Sequence, residues 1–353
     1  MGYPSIEQKK SFRAGIVGAS GYTGSELAGL LAGHPRVELS MVTSRQHAGK
    51  RLSDIHPHLN RIVDLVLQPA EALLDDPPDV VFLALPHAIA QDFVRPLYGK
   101  GVKIIDMSAD FRLKSASVYN HWYATNHRAP ELLNQAVYGL PELFRGQIRS
   151  SKLVANPGCY PTSVLLALAP LLKEKLIQTD SIIIDSKSGA TGAGVKPQAS
   201  THFSRVFGNF SAYGIGSHRH TPEIEQELSL LAGTEIKVQF TPHLLPIDRG
   251  ILSAVYVRPA GPMHQNDLSD LYGRFYFKEK FIRICESPPE IKHVRGSNYC
   301  NLYVKHDSRT GNIIIISVLD NLVKGAAGQA VQNMNIMFNL KEDSGLLHLP
   351  VYP

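Results

Sequence analysis

The stretch from Phe12 to Thr43 constrains the fold more than any other part of this chain. Phe12 to Val17 reads as a buried strand, Gly18 to Gly24 as a tight turn, and Ser25 to Ala32 as a helix that Gly33-His34-Pro35 terminates. Val37 to Thr43 then reads as a second strand. A strand that passes through a glycine turn into a helix and returns as a strand is the first unit of a doubly wound parallel sheet. The alternation continues with strands at Val80 to Leu85 and Val102 to Met107 and a helix from Ala88 to Tyr98 between them. After about Lys152 the texture changes. Strands at Ser181 to Asp185, Gly250 to Arg258 and Asn312 to Leu319 are separated by long polar or glycine-rich connections, which suits a mixed or antiparallel sheet. A helix from Leu322 to Phe338, with Leu322, Ala326, Ala330 and Met334 near one face, is expected to return to the first domain. Gly189 to Gly216, rich in Gly and Ser, is the longest loop candidate.

Composition removes several function classes. The 353 residues are 44% hydrophobic and 19% charged, enough for two cores and ordinary for an α/β enzyme. No stretch approaches the roughly 18 uncharged apolar residues of a membrane span. Glu7-Gln8-Lys9-Lys10 runs straight into the first strand without a signal-peptide core, so a cytoplasmic location is expected. Cys159, Cys285 and Cys300 are widely spaced with no Cys-x-x-Cys pair, which suggests neither a disulfide framework nor a cysteine zinc site. The formal charge of +5 is spread along the chain, without the dense basic run of a nucleic-acid surface.

Six segments carry chemistry. Gly18-Ala19-Ser20-Gly21-Tyr22-Thr23-Gly24 exposes backbone amides at a helix start, where a pyrophosphate can be held. The second strand ends in Thr43-Ser44-Arg45, with no acid for ribose hydroxyls. Arg45 and Ser44 there are donors for a 2′-phosphate, which favours NADP over NAD; the alternative is a solvated loop arginine. Asn156-Pro157-Gly158-Cys159-Tyr160-Pro161-Thr162 precedes an apolar run from Ser163 to Leu172 and sets a thiol at a helix start. A helix N-terminus lowers a thiol's pKa, so Cys159 is either a nucleophile or a buried, inert cysteine. His218-Arg219-His220-Thr221-Pro222-Glu223 places two imidazoles before a helix with a Thr cap and Pro at its first position. Either histidine is a proton carrier or a structural residue, and no third ligand accompanies them as a metal site. Arg112, after a strand in Ser108-Ala109-Asp110-Phe111-Arg112, lies where sheet-end loops gather. The loop Ser186-Lys187-Ser188-Gly189-Ala190 offers further donors, with Gly189 there for those donors or only for its backbone freedom.

The segments that begin at Gly18, Ser108, Asn156 and His218, together with Asp320-Asn321-Leu322-Val323-Lys324-Gly325-Ala326-Ala327-Gly328-Gln329, resemble the N-acetyl-gamma-glutamyl-phosphate reductase family of the semialdehyde dehydrogenase superfamily, over nearly the whole chain. Ser163 departs from that family's pattern, which commonly has Gly or Ala there. The resemblance implies a Rossmann domain over residues 1–155, completed by 322–353, and a glyceraldehyde-3-phosphate-dehydrogenase-like α+β catalytic and oligomerisation domain over 156–321. It implies NADP(H) as cofactor, an acyl phosphate as small-molecule substrate, and a homodimer or homotetramer, with no metal, nucleic acid or membrane partner. By carry-over Cys159 is the nucleophile and His220 the acid/base, while Arg112, His218, Ser188 and Glu223 lie near the substrate. Gly18, Ser20, Gly21, Tyr22, Thr23, Gly24, Ser44, Arg45, Pro86, Gly189 and Asn321 line the cofactor. The nearest rival is the lysine-pathway relative, whose acyl phosphate is tethered to a carrier protein; Pro157 and Tyr160 to Thr162 favour the arginine-pathway family.

Overall fold

The computed structural model of the protein describes residues 12–353, so the expectation for Glu7 to Lys10 lies outside the described residues. Strands β1 (Phe12–Val17), β2 (Val37–Thr43), β3 (Val80–Leu83), β4 (Lys103–Asp106), β5 (Val137–Tyr138) and β6 (Leu153–Ala155) form one sheet in the order β2-β1-β3-β4-β6-β5. Every pairing in it is parallel. The chain's direction of winding reverses between β1 and β3, and in such sheets ligands bind where the carboxyl ends of those strands meet. Gly18 closes this point. Its φ is +88°, and a Cβ there would lie 2.4 Å from the Ala84 carbonyl oxygen at the end of β3, so only glycine fits.

A second sheet takes β7 (Ile182–Ser188), β8 (Ser211–Ala212), β9 (Val238–Leu244), β10 (Ile251–Val257), β11 (Ile282–Ile284), β12 (Cys300–Asp307) and β13 (Asn312–Leu319) in the order β11-β12-β13-β10-β7-β9-β8. It is mixed, as expected, with β7/β9 and β11/β12 parallel and the other pairings antiparallel. Its residues alternate between buried and open faces. The buried face packs on the helix Cys159–Lys173, whose residues from Tyr160 to Leu172 are all buried. Each leucine there contributes about 1.5–3 kcal/mol by leaving water. That anchorage fixes the start of the helix, and with it Cys159. The other face carries Ile183 and Tyr256, 48% and 38% exposed.

Several local expectations shift. The first helix begins at Tyr22, so Gly24 belongs to it rather than to the turn. The helix expected from Ala88 starts at Gln91, and Ala88 itself adopts φ +68°. Ser186, Lys187 and Ser188 sit on β7, not in a loop. Thr221 is inside its helix, whose N-cap is His220. Gly189 to Gly216 contains two 3-10 turns, a short helix at Phe203–Val206 and β8. The helix expected over Leu322 to Phe338 divides into a π-helical turn, Val323–Ala327, and an α-helix, Gly328–Met337. The α-helix is buried on every side, although four of its residues are amide-bearing. Ala330, Val331 and Met334 join the apolar core beneath the first sheet. The amides find partners instead of water: Gln329 and Asn333 donate to the Gly139 carbonyl at 3.0 and 2.8 Å, and Asn335 donates to the Glu342 and Ser344 carbonyls.

Candidate active site

Cys159 is the first residue of its helix, with Gly158 as N-cap. The amide groups of Tyr160 and of Cys159 itself point at the sulfur and lower its pKa, as does the Arg112 charge. Burial outweighs them and pushes the thiol up to about 11. The expectation that the helix start alone yields a low-pKa thiol is therefore corrected: in this setting desolvation of the anion is the larger effect. Two glycines shape the surroundings. A Cβ on Gly158 would meet His220 Nε2 at 2.6 Å and Arg112 Nη1 at 3.0 Å, and one on Gly325 would meet Cys159 Cβ at 2.8 Å. The imidazole and the guanidinium thus lie against the backbone immediately before the thiol, and the π-helical turn closes the opposite side.

Arg112 and Glu223 form a nearly buried ion pair at 3.2 Å. The guanidinium also donates to the Asn156 and Met107 carbonyls at 2.8 and 3.0 Å. Glu223 Oε1 accepts from the Gly158 amide and the Tyr138 hydroxyl, each at 2.8 Å. Both oxygens of Glu223 are therefore committed within the protein, where they hold the cap of the cysteine helix and the arginine together. Beneath them, burial and the neighbouring Asp110 push Asp106 up to about 7.

His220 is held well below an ordinary histidine, first by burial, then by the nearby His218, Arg112, His87 and Arg219. It is neutral at pH 7. Its backbone N–H donates to His218 Nδ1 at 3.1 Å, and its own Nδ1 is buried without a partner. His218, also lowered, to about 4, stands edge-on to Tyr160, Tyr213 and Phe240. Ser188 is 3% exposed and donates to the Gly189 carbonyl.

The crevice beside β1 and β3 holds the glycine turn with Ser44, Arg45 and Pro86, while Gly189 and Asn321 belong to the end of β7 and its neighbouring loop. A Cβ on Gly21 would meet no atom nearer than 3.7 Å, whereas one on Gly24 would lie 2.5 Å from the Gly18 carbonyl oxygen. The first of these leaves room for a ligand above an uncapped helix start, and the second lets the helix pack closely. Tyr22 is 40% exposed at the rim, and Thr23 follows it in the first turn. Ser20 and Ser44 share a 2.9 Å hydroxyl contact. Arg45 is exposed and pairs with no described residue. These residues suit a dinucleotide. Pro86 is exposed at the end of β3. Gly189 is required by close approach rather than backbone freedom, since a Cβ would sit 2.6 Å from the Asp248 carbonyl oxygen and its φ is −66°. Asn321 is 2% exposed, accepting from the Gly250 amide at 2.7 Å and donating to Thr191 at 3.0 Å, so it braces that loop.

Asp320, quoted above only as the head of its segment, and Arg249 also belong to the crevice. Buried Asp320 accepts from the amides of Gly296, Leu322 and Val323. Arg249 joins Asp320 to Glu26 on the first helix at 3.2 and 3.0 Å, linking the two sheets' surroundings across the crevice. For Arg249 the signal in the sequence was a charge flanking a glycine, as in Arg249-Gly250. Among the described residues no three metal-ligating side chains converge, and no helix is long and apolar enough to cross a membrane.

Residues 13–151 match the family described as semialdehyde dehydrogenase, NAD binding domain, and residues 159–321 match semialdehyde dehydrogenase, dimerisation domain. The chain is 50% identical, over 97% of its length and 99% of the relative's, to an N-acetyl-gamma-glutamyl-phosphate reductase of Desulforamulus reducens. It is 51% identical over the same shares to one of Syntrophobacter fumaroxidans. Its fold is similar to aspartate semialdehyde dehydrogenase II of Vibrio cholerae, with a TM-score of 0.72 at 18% identity, covering 94% of this chain and 99% of that one. A Candida albicans aspartate semialdehyde dehydrogenase solved with NADP gives 0.65 at 20% identity, covering 93% and 99%. The chain belongs to the semialdehyde dehydrogenases, and within them to the N-acetyl-gamma-glutamyl-phosphate reductase family.

Proposed function

We propose that this protein reduces N-acetyl-gamma-glutamyl phosphate to N-acetylglutamate 5-semialdehyde with NADPH, through a thioester on Cys159. The observation that carries the reading is the convergence of His220 and Arg112 on the backbone before Cys159, in a chain half identical to relatives of that name. A free, exposed Arg45 and the lack of an acid at the end of β2 support NADPH over NADH. The division into 1–155 with 322–353, and 156–321, belongs to the same reading, supported by the packing of the last helix under the first sheet.

Neutral His220 acts first as a base. Its Nε2 takes the thiol proton as sulfur attacks the acyl carbon; the carbon–sulfur bond forms, the carbon–oxygen bond to phosphate breaks, and phosphate leaves. NADPH, when bound, supplies the hydride that reduces the thioester. His220 donates its proton to the developing oxygen, takes it back as the thiohemiacetal releases aldehyde and the Cys159 thiolate, and returns it to the sulfur, which restores the thiol and the neutral imidazole. The Cys159 amide is the donor for the oxyanion. Arg112 neutralises charge beside the acyl carbon, and His218 with Ser188 lines the substrate side. Glu223, with both oxygens taken, serves by positioning Arg112 and Gly158 rather than by the substrate contact expected from sequence. Asn321 likewise positions the loop it was expected to share with the cofactor. The dimerisation-domain match and the open apolar face around Ile183 and Tyr256 support a homodimer formed through the second sheet, or a tetramer built from it.

The test is phosphate-dependent reduction of NADP with N-acetylglutamate 5-semialdehyde, followed at 340 nm, with aspartate semialdehyde in parallel. Activity confined to the acetylated aldehyde, and abolished in Cys159→Ser with NADPH binding intact, is the expected result. Substantial turnover by Cys159→Ser rules out the covalent route.

A further inference from the structure

We propose that His87 and Arg219, which flank the ring of Tyr123, form a seat for the phosphoryl oxygens of the substrate. The inference rests on the acyl-phosphate reading but assigns two residues to which that reading gives no role. His87 follows β3 in the loop that closes the crevice, and its Nδ1 accepts the Ala109 amide at 3.2 Å. A neutral imidazole that accepts at Nδ1 carries its proton on Nε2, so His87 offers one fixed N–H donor. The loop that presents it is braced reciprocally: Ala88, at φ +68°, donates its amide to buried Asp110 at 2.7 Å. A non-glycine residue in that region costs about 1–3 kcal/mol and persists where its surroundings hold it.

The His87 ring meets Tyr123 edge-on at 5.2 Å between centroids, and the Arg219 guanidinium lies over Tyr123 at 5.6 Å. Tyr123 itself is stacked on Tyr119, whose hydroxyl donates to Asp110 at 2.6 Å, so the platform is anchored in the interior. Arg219 is exposed and pairs with no carboxylate among the described residues. Burial, with the charges of Arg219 and Arg112 beside it, holds His87 down at about 3, which keeps it a neutral donor across the working range. An unpaired guanidinium and a fixed N–H donor around one aromatic ring, next to Arg112 and His220, suit a tetrahedral oxyanion. A cofactor carboxamide, by contrast, has no use for the charge.

Inorganic phosphate is the probe. Its affinity is measured by calorimetry on the full chain, without turnover, and its KM in the phosphorylating direction beside the KM for NADP. Arg219→Ala and His87→Ala should each weaken phosphate binding and raise its KM about ten- to a hundredfold, the weight of a hydrogen bond to a charged group. The KM for NADP should stay within about twofold, and His87→Gln, which keeps an N–H donor, should recover most of the loss. Unchanged phosphate affinity in both alanine variants with native thermal melting, or a rise in the NADP KM instead, overturns the assignment. Because calorimetry needs no reaction, wild-type protein that binds phosphate yet fails to turn over acetylated aldehyde would count against the proposed function and leave the seat standing.

Discussion

Lys324 offers the sharpest test of how the interior is held together. Its side chain is 0% exposed, as is that of its partner Glu142, and its ammonium donates to Glu142 Oε1 at 2.7 Å and Gln332 Oε1 at 2.9 Å. Lys324→Met keeps the aliphatic stem and removes only the charge, which strands a carboxylate in a site whose second oxygen already lacks a partner. Breaking a buried pair from one side costs about 3–5 kcal/mol, because the remaining ion has lost its compensation. The double variant Lys324→Met with Glu142→Leu removes both charges and should recover most of that, since apolar replacement of a buried pair is often neutral. The pH dependence has a definite sign. In the single variant Glu142 is a buried carboxylate without its counter-ion, so holding it ionised costs stability, and the penalty is smaller in acid than in base. Urea unfolding by circular dichroism at pH 5 and pH 8 therefore expects a larger loss at pH 8. A single variant within about 1 kcal/mol of wild type at both pH values, or a double variant worse than the single, would refute the reasoning.

Three further outcomes follow from the site. Without substrate or cofactor, alkylation of Cys159 by iodoacetamide, read on its own peptide by mass spectrometry, should rise about tenfold per pH unit up to about pH 10, because burial holds the thiol near 11; a plateau near pH 7 would show a thiolate–imidazolium pair instead. Gly325→Ala, whose Cβ would lie 2.8 Å from that of Cys159, should lower turnover at least tenfold and destabilise by about 1–3 kcal/mol, measured by steady-state assay and melting. Arg45→Ala should raise the KM for NADPH about tenfold or more while leaving that for NADH nearly unchanged, and equal effects on both would remove the 2′-phosphate role.

The first sheet was legible because its signal is local. The strand–glycine–helix unit depends on contacts within some thirty residues, and Gly18 and Gly24 each have a steric reason that spacing alone suggests. The short strands β5 and β6 were missed because two or three apolar residues carry no period, and they exist only where neighbours already present an edge. The last helix was legible only in part. Its apolar face and its return to the first domain could be read, but not the burial of its glutamines and asparagines, for some of which the backbone carbonyls of Gly139, Glu342 and Ser344 replace water. In the site, residue types at fixed spacing marked Cys159, His218, His220 and Arg112, since a thiol at a helix start and paired imidazoles are local patterns.

What the sequence by itself determined is the class of sheet, the glycine turn that opens the crevice and the identity of the reactive groups, all written within short windows. The tertiary structure alone decided their ionisation and their partners. Glu223 turned inward to bind Arg112 and the Gly158 amide, His220 became neutral under burial and four nearby cations or histidines, and the helix-start thiol was raised rather than lowered. Those outcomes depend on which charges meet across more than a hundred residues of chain and on how much water is excluded around them, and neither quantity is encoded at any single position.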